Sequence, residues 1–273
     1  MYRSLLVHLD DSDRCAVQAE VAMQLARRFG AHVVALAPTG RQLASMSFEL
    51  TAALADAMDA VHAAGQRRVD DFVAACHAAG LNSVEGVADP ESDVPSLIDH
   101  AHCSDLLIMG QGSTAAARAV TERVVLSSGR PTLVLPWAGV PTTLGERVLV
   151  AWNDSPEAAR ALSDALPLLC QAREVTVLRC EAPGPTLDDL GPAMRAKLEA
   201  LRRWLMWHGV DAEVALEVAG ADAGNVLLSR AADRGADLLV MGAWGRSRWS
   251  ERMLGGATRT LLESMTLPVL MSH

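Results

Sequence analysis

Asp237-Leu-Leu-Val-Met-Gly242-Ala-Trp-Gly245-Arg246-Ser-Arg248-Trp-Ser-Glu251-Arg252-Met-Leu-Gly255-Gly256-Ala-Thr258-Arg259 starts as a short apolar run, the pattern of a strand buried on both faces. It breaks at Gly242 and Gly245 and resumes as a helix-like segment ending in Glu263. A strand, a glycine loop and a helix in that order make an anion site: glycine lets backbone approach a ligand closely, and a helix start offers unpaired N–H groups with partial positive charge. Beyond Gly242, Arg246, Arg248, Arg252 and Arg259 face only Glu251 within the stretch, against an acidic chain. The local charge suits a phosphate.

The stretch has a twin. Asp105-Leu-Leu-Ile-Met-Gly110 precedes Asp237-Leu-Leu-Val-Met-Gly242 by 132 residues. Leu5-Leu-Val-His-Leu-Asp10-Asp-Ser12 precedes Val148-Leu-Val-Ala-Trp-Asn153-Asp-Ser155 by 143, and Pro131-Thr-Leu-Val-Leu precedes Pro268-Val-Leu-Met-Ser by 137. Three landmarks in one order are a tandem duplication, with a period far beyond the ~20–50 residues of solenoids. A chain of 273 residues is comfortable for two domains of typical size. The reading is a domain over 1–137 and a second over 146–273, joined by the Pro- and Gly-bearing linker Trp137–Gly145.

Each half alternates strands and helices, which predicts an α/β fold: two doubly wound domains, each a five-stranded parallel sheet flanked by helices. Strands are expected near 4–9, 31–36, 82–87, 104–109 and 131–135, then near 147–152, 174–179, 211–217, 236–241 and 268–271. A helix over 44–79 is expected to break near Gly65. Ser155-Pro156-Glu157 reads as a helix start, and Gly30 and Gly209 as helix ends. The apolar last strand of each half is the sheet edge most in need of cover, so the halves are expected to pair there as an internal pseudo-dimer.

Composition narrows the function. A net charge of −9 and a pI near 5.3 argue against a nucleic-acid surface. No stretch approaches ~20 uninterrupted apolar residues, and Leu5–Leu9 is too short for a signal peptide core, so a cytoplasmic protein without membrane contact is expected. Five scattered cysteines without a C-x-x-C pair fit reduced, mostly buried thiols.

Several motifs fail on inspection. Gly110-Gln-Gly112-Ser-Thr-Ala115 matches G-x-G-x-x-A but follows the fourth strand, and the acidic partner of a dinucleotide site is missing. The chain has no P-loop, so fast ATP turnover is not expected, and Trp249 ends a nucleophile elbow that Gly245-Arg-Ser247 would begin. His100 and His102 lie two apart and diverge on a helix, which disfavours a metal pair. His8 reads as a base or as a polar neighbour of a cleft, and His273 as solvated.

The strand ends Asp10-Asp-Ser12 and Asn153-Asp-Ser155, the spacing Gly242-x2-Gly245-x9-Gly255 and the proline-led closing strands together resemble the universal stress proteins in their tandem form. The resemblance implies five parallel strands per domain, pairing through the last strand and, in part of the family, binding of ATP. Carried onto this sequence, it assigns cofactor contacts to Asn153, Gly242, Gly245, Arg246, Gly255, Gly256 and Thr258, and no catalytic or metal residue. Asn153 stands where the family has Asp, and Gly256 where it has Ser or Thr, with Thr258 as a substitute hydroxyl.

The first half departs further. It is five residues shorter between Gly110 and Pro131, and Arg118-Ala119 stands about where the last glycine and hydroxyl would be, so its site reads as degenerate. The expectation is a stress-response regulator holding ATP or AMP in the C-terminal domain only, magnesium accompanying ATP, with at most slow hydrolysis. Signalling would pass through a homodimer contact or an unidentified protein partner. The alternative is a ligand-free interaction scaffold with a vestigial cleft.

Overall fold

The computed structural model describes residues 1–40, 52–139, 142–181, 191–218, 223–244 and 254–273. The chain forms two compact units, Met1–Trp137 and Ala138–His273.

In the first unit the strands are β1 (Ser4–His8), β2 (His32–Pro38), β3 (Val84–Asp89), β4 (Leu106–Gly110) and β5 (Thr132–Leu135). The helices are α1 (Cys15–Phe29), α2 (Ala52–Ala78), α3 (Asp93–Ala101) and α4 (Ala115–Ser127). The strands order as β3-β2-β1-β4-β5 and every pair is parallel. Helices cover both faces, so the central strands are apolar throughout: Leu5, Leu6 and Val7 on β1 and Leu106, Leu107 and Ile108 on β4 are fully buried.

The second unit repeats this with β6 (Arg147–Trp152), β7 (Glu174–Glu181), β8 (Ala212–Val218), β9 (Leu238–Gly242) and β10 (Val269–Ser272). Its helices are α5 (Pro156–Leu169), α6 (Pro192–Trp207), α7 (Ala223–Asp233) and α8 (Leu254–Ser264). The order β10-β9-β6-β7-β8 is again parallel. In both units the chain leaves the first strand in one direction and returns to its other side with the fourth. The switch points, where ligands of open α/β sheets bind beyond the carboxyl ends, lie between β1 and β4 and between β6 and β9.

The repeated Asp-Leu-Leu motif explains its own acid. Asp105 Oδ2 accepts from the Arg3 and Ser4 N–H groups at 2.6 and 3.1 Å, and Asp237 accepts from Glu146 and Arg147 at 3.1 and 3.0 Å. Each carboxylate pins the start of the neighbouring first strand, at the end of the sheet opposite the switch point. Ser155 caps α5 by accepting from the Ala158 N–H, with Pro156 in the first turn, and Gly30 ends α1 at φ +62°.

Three expectations are corrected. Helix α2 runs unbroken through Gly65, where a Cβ would come within 2.8 Å of Thr39 Cγ2. That glycine lets the helix lie close on the end of β2 and does not interrupt it. Among the free cysteines only Cys76 is buried, while Cys103 and Cys170 are exposed. His273 is half-buried, and its Nδ1 bonds the Ala243 carbonyl at 2.8 Å. Among the described residues no helix is long and apolar enough to cross a membrane.

Candidate functional site

The switch point of the first unit opens into a cleft of ≈240 Å3 lined by the ends of β1 and β4, the start of α1 and the turn before α4. Asp10 forms its floor and is held on both oxygens. Oδ1 accepts from the Ser12 N–H (3.0 Å) and hydroxyl (2.5 Å), and Oδ2 accepts from Gln18 Nε2 at 2.7 Å. Gly110 must be bare here, since a Cβ would sit 2.8 Å from Gln18 Nε2. Thr121 on α4 donates to the Gly110 carbonyl at 3.1 Å and ties helix to strand end.

The Gln18 carboxamide is oriented by chemistry. Its NH2 must face the Asp10 carboxylate, because the reverse orientation would set oxygen against oxygen. Gln18 is 1% exposed and its Oε1 is left without a hydrogen-bond partner. Among the charged residues lining the cleft, Asp10, Asp11 and Asp93 outnumber Arg14, whose guanidinium donates to the Pro136 carbonyl at 3.3 Å. His8, 7% exposed, is pushed below the ordinary imidazole value by burial; the carboxylates of Asp10 and Asp93 oppose this and Arg68 of α2 reinforces it. It is a neutral imidazole at pH 7. Burial and then the Asp10 charge push the Cys15 thiol up to about 11.

The turn from β4 into α4 is tightly folded. Gly112, at φ +81°, folds the turn so tightly onto α4 that a Cβ would come within 2.7 Å of the Ala117 carbonyl carbon and the Arg118 nitrogen. Thr114 Oγ1 accepts from the Ala117 N–H and so satisfies a donor of the helix start from within the chain.

The second unit rebuilds the switch point with other residues. Asn153 follows β6 and keeps the turn of its counterpart Asp10, its Oδ1 accepting from the Ser155 N–H at 3.2 Å. Ala161 stands at the Gln18 position. Gly242 ends β9 under the first turn of α5, where a Cβ would lie 2.5 Å from the Ala158 nitrogen and the Glu157 carbonyl carbon. Among the described residues two that are not glycine take positive φ, both at this switch point: Asp154 (+65°) and Trp244 (+46°). Such conformations cost of order 1–3 kcal/mol and gather at functional sites.

Gly256 lies in the first turn of α8, exposed, with open space where a Cβ would project, and Gly255 precedes it. Thr258 is fully buried and its hydroxyl has no hydrogen-bond partner. Arg259 is paired with Glu263 at 3.0 Å. Gly245 and Arg246 lie outside the described residues, as do Arg248 and Arg252. Among the described residues no group of three or more His, Cys, Asp or Glu could hold a metal.

Sequence reasoning passed over Gln18, which carries no motif and becomes notable only once β1, β4 and α1 meet. The one available signal was its place two turns of chain beyond Asp10, on the helix following the opening strand.

The comparisons with known proteins agree with this architecture. The family model described as the universal stress protein family matches residues 145–273. Among solved structures, a universal stress protein from Archaeoglobus fulgidus DSM 4304 aligns with a TM-score of 0.74 at 18% identity, covering 98% of this chain and 97% of that one. A functionally unknown protein from Pseudomonas aeruginosa PAO1 aligns with a TM-score of 0.65 at 17% identity, covering 99% and 92%. At these identities the likeness is one of fold. No curated protein matches the chain.

Proposed function

We propose that this chain, whose residues 145–273 match the universal stress protein family model and whose whole length takes the fold of a tandem universal stress protein, is a regulatory protein that holds an adenine nucleotide in its second unit. The observation that carries this reading is Gly256. Gly256, in the first described turn of α8, is exposed with open space where a Cβ would project, so a phosphate could approach the backbone there, whereas the start of α4 in the first unit is capped by Thr114 in a turn folded tightly at Gly112. Asn153 and Gly242 stand at the other side of the same switch point, where base and ribose would lie. Gly245, Arg246 and Gly255 belong to the proposed phosphate side on their sequence positions, and Thr258 brings a hydroxyl in need of a partner.

The group fits the residues as a ligand and not as a substrate. Phosphoryl transfer draws on a metal at the transferring group, and among the described residues no group of three or more His, Cys, Asp or Glu could hold one. ATP or AMP would bind, magnesium would come with ATP, and turnover would be slow or nil.

The test uses Gly256→Glu. Open space at Gly256 admits the side chain, and Glu is a better helix former than Gly by roughly 0.5–1 kcal/mol, so the variant folds at least as stably as the parent. Its carboxylate opposes a phosphate. Saturating ATP should raise the wild-type Tm and leave the Tm of Gly256→Glu unmoved; an equal rise in both would overturn the assignment.

A second reading, an interaction scaffold without ligand, is favoured by one feature. Trp207 is 79% exposed and Met206 56% exposed at the end of α6, an apolar pair that a partner surface would cover.

A further inference from the structure

The first-unit cleft is lined by more carboxylates than cations and holds a buried acceptor without a donor. We propose that the cleft between β1 and β4 binds a small organic cation carrying a primary ammonium or guanidinium group, seated on Gln18 Oε1 and the carboxylates of Asp10 and Asp93. This inference is independent of the nucleotide reading, which concerns the other unit.

Two observations carry it. The first is the buried Gln18 carbonyl, fixed in orientation by Asp10 and lacking a donor in a cleft it lines. A buried acceptor left without a donor carries an unrecovered desolvation penalty, which a ligand N–H would offset. The second is the balance of charge. Three carboxylates line the cleft against Arg14, which is turned to the Pro136 carbonyl, and against the field of Arg68 that reaches His8. A phosphate would meet acceptors and negative charge here, whereas an ammonium brings three donors and a guanidinium five to groups that can only accept.

The second unit sharpens the contrast. Asn153 and Ala161 replace Asp10 and Gln18, so both the carboxylate and the orphan acceptor are lost together. The first switch point is thus the richer in acceptors.

The probes are putrescine and agmatine, with butane-1,4-diol as the uncharged control, read by titration calorimetry and thermal shift on the full chain. Saturable binding of either cation, absent for the diol, is expected. Asp93→Asn, a change at an exposed residue at the start of α3, should weaken it at least tenfold, and Gln18→Leu should do the same. The ATP-induced Tm rise, which reports on the second unit, should persist in both variants and shows that they fold. No saturable binding of either cation, binding of the diol as strong as that of putrescine, or wild-type affinity in Asp93→Asn or in Gln18→Leu would each overturn the proposal. A failed ATP response with intact cation binding would count against the nucleotide reading alone.

Discussion

Thr121 and Thr258 occupy equivalent places on α4 and α8, yet only the first has work for its hydroxyl. Thr121 donates to the Gly110 carbonyl, and Thr258 donates to nothing while fully buried. Thr121→Val should therefore cost about 1–2 kcal/mol, and Thr258→Val should be neutral or stabilising by chemical denaturation, because removing an unsatisfied buried hydroxyl also removes its desolvation penalty. His8 gives a pH signature. The unfolded chain binds a proton at the ordinary imidazole value of 6.5, which the buried folded imidazole refuses. Its contribution to stability is intact above that pH and is lost progressively as pH falls below it. His8→Gln should flatten the fall of the urea midpoint between about pH 6.5 and 5; an unchanged slope would show that His8 does not carry it. At this scale the sequence exposed the acid ending β1 and the glycines, because backbone demands leave a residue-type signature. It did not expose Gln18, Thr114 or the Asp105 and Asp237 staples, whose roles arise from partners distant in the chain.

Strands and helices were legible because burial on both faces writes a continuous apolar run, and because caps are local. Ser155-Pro156 and Gly30 needed no tertiary knowledge. The glycine at 65 misled for the same reason. A local reading makes glycine a breaker, whereas here it is a point of contact between α2 and Thr39. Gly242 extends that lesson: its bareness serves the packing of α5 on β9 whatever ligand binds. Gly242→Ala would drive a Cβ into the backbone of Glu157 and Ala158, and since backbone cannot turn aside as a side chain can, a loss of about 1–3 kcal/mol in unfolding free energy is expected. A variant as stable as the parent would mean that the helix start yields.

Across the whole chain, duplication has been followed by divergence at the two switch points. Three landmark motifs keep both sheets in the same order, so the architecture survives while the residues beyond the carboxyl ends change. The first unit holds Asp10, Gln18 and a capped α4; the second holds Asn153, Ala161 and an exposed Gly256 on α8. The ligand class of each unit is the part least legible in sequence, because it depends on which donors and acceptors the fold leaves unspent. The most direct test is the stoichiometry of ATP binding to the full chain by titration calorimetry. One site per chain is predicted, abolished by Gly256→Glu and untouched by Gln18→Leu; two sites, or one that vanishes with Gln18→Leu and survives Gly256→Glu, would contradict the assignment of nucleotide to the second unit.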